Sequence, residues 1–341
     1  MSTLQHILDN FSYERVLSHN ARTKLIYLLG NIDGTACILS LEKLPYDTST
    51  IPTLGRHVDH LDEEVQNNIY GWGLGHVQLD SLDTQINGGW FFYLSSACAS
   101  YYFIFDRELM KHPKFLKNQV RKEITCAVSA IPGFSILTVP WFVGEINGYS
   151  LLYEGTPQTM SDWLYLIATV PTFLFITDMG IYWIHRLLHH PLIYKSLHKL
   201  HHKWIVPTPF ASHAFHPMDG YLQSIPYHLY GYMIPMHKWL YMFMFIFVNV
   251  WTVLIHDGNF FSHSDVINTT AHHTVHHLYF NYNYGQYFTF WDKLGGSHRQ
   301  PTAEQYDAAL RNNKSVWAAQ SKEADTIENE DETKALKYKK H

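Results

Sequence analysis

Cysteine is scarce in this chain. It has three, Cys37, Cys98 and Cys126, and no two of them stand in a C-x-x-C pair. A disulfide framework, a thiolate zinc site and an iron–sulfur cluster are therefore excluded. Cys98 and Cys126 fall in apolar runs and read as packing residues. Basic charge is also lacking: 25 Lys and Arg stand against 30 Asp and Glu, for a net charge of -5, and no basic stripe marks a nucleic-acid binder. The first thirty residues carry no basic start followed by an apolar core and a small-residue cleavage site, so membrane insertion is expected to rest on internal segments. No internal repeat of the transporter kind is visible.

What the chain has in abundance is apolar and aromatic side chains, 46% and 16% of its 341 residues. Its mean hydropathy is nonetheless slightly negative, so polar segments offset the apolar runs. The runs are 88–105, 124–144 and 163–184, each close to the roughly 20 residues a spanning helix needs. Two shorter ones, 221–236 and 239–255, are broken by Pro226, Gly231 and Pro235 and read as an out-and-back hairpin, with Lys238 at its tip either reaching the far interface or snorkelling. The stretch 107–122 holds Arg107, Lys111, Lys114, Lys117, Arg121 and Lys122, whereas 145–162 has no Lys or Arg. Short basic loops stay cytosolic. The third run then re-emerges on the cytosolic side just before His185, and the hairpin returns His256 to that same side.

Histidine is the other abundance. Sixteen of the 24 lie between His185 and His277, and they group in three boxes: His185 and His189; His198, His201 and His202; His273, His276 and His277. Residues three or four apart share a helix face, so each box is expected to aim its imidazoles one way. Converging imidazoles repel when protonated and cooperate when neutral around a divalent cation such as iron or zinc. Eight or nine are too many for one ion and imply two. Soluble di-iron proteins use Glu-x-x-His pairs, and none occurs in these boxes. An all-histidine pair of irons beside apolar helices suits dioxygen chemistry on a lipid. His256 is expected to join the ligands.

Lesser candidates surround these. Asp178 lies near the end of the third apolar run and needs a partner, either as acceptor for a ligand histidine, as a group lining the substrate channel, or in helix packing. His190 points off the face of the first box. His272 is also placed four residues before His276, and spacing does not choose between it and His273. His213 and His216 come from a loop, and either could complete a shell. Asp257 accompanies His256. His6, His19, His57, His60, His76, His112, His298 and His341 are scattered and read as structural.

These expectations describe an all-α protein: a polytopic membrane helical bundle with a cytosolic histidine-rich helical cap holding a dinuclear metal site. Residues 1–87 form an N-terminal polar region of short helices and loops, on the luminal side. Residues 88–302 form the membrane-embedded catalytic part, and 303–341 a flexible charged cytosolic tail. Lys337 and Lys339 fit a dilysine signal for the endoplasmic reticulum, and Asn10-Phe-Ser fits a luminal glycosylation sequon.

The boxes, together with the segments PTPFASHAFHP from Pro207, IHDG from Ile255 and NYNYGQ from Asn281, resemble the sterol C-5 desaturase branch of the fatty acid hydroxylase/sterol desaturase superfamily. The boxes are shared by the wider superfamily, and the other three segments favour the sterol branch. The likeness covers roughly 100–300. It implies removal of two hydrogens from C5 and C6 of a Δ7-sterol, with O2 as oxidant, two iron ions as cofactor (zinc often replacing iron in overexpressed protein), and electrons from NADH or NADPH through cytochrome b5 reductase and cytochrome b5. It also implies the box histidines as ligands. Two alternatives remain open at this level: a sterol-methyl or fatty-acyl hydroxylase of the same superfamily, and a membrane zinc-binding or transport protein.

Overall fold

The structure is a computed structural model that describes residues 63–260 and 264–338. Asn10, Cys37, Lys339 and the histidines before residue 63 lie outside the described residues. The chain divides at Gly73 into two units, and the second, from Leu74 onward, holds the bundle and every histidine box.

Helix α1 runs Glu63–Phe103, α2 Gln119–Ile146 and α3 Met160–Leu188. Two single turns come next, the short helix α4 at Tyr194–Leu197 and a 3-10 turn at His201–Lys203. A second 3-10 turn, Pro209–His213, leads into α5, Pro217–Met233, and α6 comes after it at Lys238–Ile255. Helix α7, Thr270–Tyr279, carries the last histidine box, and α8 spans Phe290–Gly295.

Helices α2, α3 and α6 are long and apolar enough to cross a membrane. Their outward faces agree. Trp163, Leu164, Ile167 and Phe175 on α3, and Trp239, Met242 and Phe243 on α6, are exposed large hydrophobics that only lipid would cover. The expected first run, 88–105, is the last part of α1, which is not one of the three spans. Helix α1 continues through the boundary expected at residue 87.

The tip of the expected hairpin is well defined. Strands β1, Leu152–Tyr153, and β2, Met236–His237, pair in parallel, so the turn between α5 and α6 lies beside the segment that joins α2 to α3. Lys238 is ion-paired with Glu154 of that segment. It therefore reaches the far end of the bundle. Helix α3 starts with a reciprocal cap: Thr159 Oγ1 accepts from Asp162 N, and Asp162 Oδ2 accepts from Thr159 N. Where α3 crosses α5, a Cβ on Gly180 would lie 2.7 Å from Pro226, so glycine is what lets the two backbones meet.

The described C-terminal residues are largely helical. The sequence predicts a flexible charged tail over 303–341, of which 303–338 are described. These form α9, Ala303–Tyr306, α10, Ala308–Arg311, and α11, Lys314–Tyr338. The reason is one aromatic in a charged segment. Trp317 is buried, meets the His112 ring at 5.4 Å, and donates its Nε1–H to Arg311 O at 2.6 Å. Lys199 with Glu328 and Arg299 with Glu323 add exposed ion pairs of small individual worth.

Candidate metal centre

Nine imidazoles meet at the ends of α3, α6 and α7 and in the turns after α4, in two groups. His185, His189, His198, His202 and His276 form the first, and His201, His256, His273 and His277 the second. Within each group the donor atoms lie within 4.8 Å of one another. All nine are buried or nearly so. The groups adjoin: the His202 and His276 rings are 4.7 Å apart, and His201 and His277 4.8 Å.

Local geometry explains the sorting, and it differs from one box to one site. His185 is in the last turn of α3 and His189 is its C-cap, so both face the first group. The second box is not one helix. His198 caps α4, and His201 and His202 sit in the 3-10 turn. Successive helical residues point about 100° apart. His201 and His202 therefore part company, one to each group, as do His276 and His277 on α7. His273 and His277, one turn apart, stay together. The second and third boxes thus link the two groups.

The outward nitrogens fix the inward ones. His185 Nδ1 donates to Tyr284 O at 3.0 Å, His276 Nδ1 to Tyr282 O at 2.7 Å, and His256 Nδ1 to Thr252 O at 2.7 Å. His198 Nδ1 donates to Asp219 Oδ2 at 2.7 Å, both side chains being fully buried. A carbonyl or carboxylate oxygen only accepts, so each Nδ1 keeps its proton and each Nε2 turns a bare lone pair inward. His185 Nε2 and His198 Nε2 then face each other at 3.1 Å. Two lone pairs at that distance repel unless a cation lies between them. His276 Nε2 is buried without a hydrogen-bond partner. In the second group His256 Nε2 is 3.0 Å from His273 Nε2 and 3.3 Å from His277 Nε2. Adjacent donors on one ion with bonds of about 2.1 Å are about 3.0–3.4 Å apart. The donor set therefore fits two cations, five imidazoles toward one and four toward the other.

Protons do not compete for these positions. Burial, reinforced by neighbouring histidines, holds His189, His201, His202, His273 and His277 well below the ordinary imidazole value. Burial brings His276 down to about 3 and His256 to about 4. These seven rings are thereby held in the neutral form that metal ligation requires.

The remaining candidates are placed elsewhere. Among the described residues Asp178 has no imidazole as a hydrogen-bond partner. It accepts from the backbone N–H groups of Gln286 and Tyr287, both at 2.7 Å, and of Phe288 at 3.3 Å. His190 is exposed on the surface. His213 is held by Ser212 Oγ at 3.0 Å and Asn249 Oδ1 at 3.2 Å, outside both groups. His216 caps α5, its Nδ1 accepting from Met218 N. His272 closes the N-terminal cap of α7 with Thr269 and lies outside the groups, so His273 is the one of that pair that converges. Asp257 is buried, accepts from Asn259 N at 2.8 Å, and is raised by desolvation to about 7.

Three residues that matter here are not among the sequence candidates, although Gly285 lies within the NYNYGQ segment. Asp219 passes for an ordinary acid in the first turn of a helix. Asp292 accepts from Tyr284 N and Gly285 N, each at 2.8 Å, and so grips the 282–288 loop opposite Asp178. Gly285 has no room for a side chain, because a Cβ there would lie 2.5 Å from Phe288 O. The two carboxylates together aim the Tyr282 and Tyr284 carbonyls at their histidines.

A cavity of about 330 Å³ ends on His185, His201, His256 and His273. Away from them its walls are mostly apolar, with Phe92, Ile131, Phe142 and Phe245 among the lining side chains.

Curated relatives match about 70% of the chain. The chain is 54% identical to the Delta(7)-sterol 5(6)-desaturase of Eremothecium gossypii over 70% of its own length and 68% of the relative's. It is 54% identical to that of Saccharomyces cerevisiae, over 70% of the chain and 65% of the relative, and 51% identical to one from Schizosaccharomyces pombe, over 71% and 80%. The chain belongs to the Delta(7)-sterol 5(6)-desaturase family. The family model described as Fatty acid hydroxylase matches residues 170–297, which contain all nine histidines of this desaturase-family site. A second model, described as Scavenger mRNA decapping enzyme (DcpS) N-terminal, matches residues 6–88, and none of the nine lies there. No solved structure matches.

Proposed function

We propose that the chain introduces the C5=C6 double bond into a Δ7-sterol, taking O2 as oxidant and electrons from NADH or NADPH through cytochrome b5 reductase and cytochrome b5. Two hydrogens leave the sterol as two protons and two electrons. Two further electrons and two protons complete the reduction of O2 to two waters, and the Δ5,7-diene is released. The observation that supports this most directly is the apolar cavity ending on four of the nine histidines. A flat hydrocarbon skeleton would fill such a space with one edge against the metal-binding nitrogens.

In this reading the nine histidines hold two irons, which when bound supply the activation of dioxygen. The chain's own residues do the rest. Asp219 and the carbonyls of Thr252, Tyr282 and Tyr284 keep four of the imidazoles in the ligating tautomer. Asp178 and Asp292 hold the loop that carries two of those carbonyls. The apolar wall keeps water from the carbon being oxidised. The basic stretch 107–122 sets this end of the bundle toward the cytosol, where a soluble electron-carrying domain has access, and the membrane is that of the endoplasmic reticulum.

The test is complementation of a strain lacking sterol C-5 desaturase, with sterols read by mass spectrometry and by the absorbance of the conjugated diene. Appearance of the Δ5,7-diene is the expected result. An oxygenated sterol or acyl product without diene would support the hydroxylase reading instead.

A further inference from the structure

A second concavity, of about 420 Å³, opens on the flank of α2 away from the apolar cavity. Its lining includes Asn118, Arg121, Lys122 and Lys203, all exposed, which we take as its rim. Among the described residues none of the three cations is in an ion pair, and Lys203 Nζ lies 5.3 Å over the Trp204 ring. The first turn of α2 has no acid, and Glu123 is fully buried and turned inward, bonded to Thr208 and Gln119. The rim is thus uncompensated positive charge.

From there the groove continues along one face of α2 past Thr125, Cys126 and Ser129, and Leu200 and Trp204 complete its lining. From Asn118 to Ser129 the helix advances about 16 Å, all of it along a membrane-spanning helix. The two hydroxyls in this stretch are already committed: Thr125 Oγ1 donates to Arg121 O and Ser129 Oγ to Thr125 O, both at 2.8 Å. The groove therefore presents carbon surface at hydrocarbon depth and cations at the depth of the headgroups. A free phosphate would use only the rim. An acidic protein surface would not track the groove into the bilayer.

We propose that this groove is a binding site for an anionic glycerophospholipid, its phosphate on Arg121, Lys122 and Lys203 and one acyl chain along Thr125 and Ser129. Leu200 and Lys203 flank His201 and His202 in sequence. A lipid seated there braces the turn that gives one imidazole to each metal group.

The test measures lipid retained by the purified full chain after exchange into mixed vesicles of phosphatidylcholine and phosphatidylserine. Wild type is expected to enrich phosphatidylserine. R121Q/K122Q/K203Q is expected to lower that enrichment by more than about tenfold, and the charge-retaining R121K/K122R/K203R to keep it, which separates lost charge from lost folding. T125W/S129W, which fills the groove and leaves the charges, is expected to release the lipid as well. Equal enrichment in the glutamine variant overturns the proposal. Retention in the tryptophan variant, or full competition by soluble glycerophosphoserine, overturns the acyl seat. A glutamine variant that keeps its lipid but accepts electrons more slowly would assign the rim to an acidic protein instead.

Discussion

Asp219→Asn is the substitution that most sharply separates a shaped metal centre from a mere crowd of histidines. The change keeps size and removes one charge. Asp219 Oδ1 accepts from Gln223 Nε2 at 2.7 Å, and Oδ2 accepts from His198 Nδ1 at 2.7 Å. An asparagine that keeps its oxygen on Gln223 turns its NH2 toward His198. Two donors cannot share that contact, so His198 moves its proton to Nε2 and loses the lone pair that faces His185. Loss of such an outer partner costs about 10- to 100-fold in metal affinity, or about 1.4–2.7 kcal/mol. The loss should fall on the five-histidine group, because His198, the imidazole that Asp219 holds, belongs to it. The assay is chelator competition on the purified, metal-loaded chain with metal read by mass spectrometry. One ion per chain should leave at about 10- to 100-fold lower chelator than in wild type, while the other stays. Two ions released at the wild-type concentration would refute the tautomer argument.

Other perturbations draw on the same geometry. His276→Ala removes a donor from the five-histidine group, and diene formation should fall by at least about 100-fold in the complementation assay; full activity would end its assignment as a ligand. Gly285→Ala drives a Cβ against Phe288 O and should cost about 1–3 kcal/mol, seen as a lower unfolding temperature together with weaker metal retention. Trp317→Ala removes the buried anchor of α11, so limited proteolysis should cut within 303–338 far faster than in wild type while the rest of the chain stays intact. Burial lowers His112, which packs on Trp317, to about 4. Its neutral form belongs to the folded state, so the unfolded state binds the extra proton and stability falls as pH drops from about 6.5 toward about 4. Proteolysis of α11 should rise over that window, and His112→Gln should flatten the dependence.

The parts of this protein that rest on repetition are legible in its sequence. Two of the three runs of spanning length, 124–144 and 163–184, become α2 and α3, and the shorter run 239–255 becomes α6, because a membrane asks for little more than length and hydrophobicity. The histidine boxes announce a metal-binding cluster, since nothing else favours so many imidazoles at helical spacing. Their division into two groups is less legible. It depends on the change from α4 to a 3-10 turn between His198 and His202, a local tightening that the spacing does not record. The outer partners are least legible. Asp219, Asp292 and the carbonyls of Tyr282 and Tyr284 act through contacts across 6 to 99 residues, and a backbone oxygen leaves no mark on side-chain identity. Asp178 illustrates the same point. Its need for partners comes from its place in an apolar helix, but three peptide N–H groups from a distant loop supply them. The C-terminal helix was hidden by composition, because one tryptophan outweighs a charged segment's preference for water.

The central claim is that nine imidazoles from separate segments of the chain enclose two metal ions. The most direct measurement is the metal content of the full chain loaded anaerobically with ferrous iron, combined with X-ray absorption at the iron edge. Two irons per chain in a nitrogen-dominated, imidazole-type shell is the predicted result, falling to one in a His273→Ala/His277→Ala variant. A single iron per chain, or a shell dominated by oxygen in the unaltered protein, would contradict it.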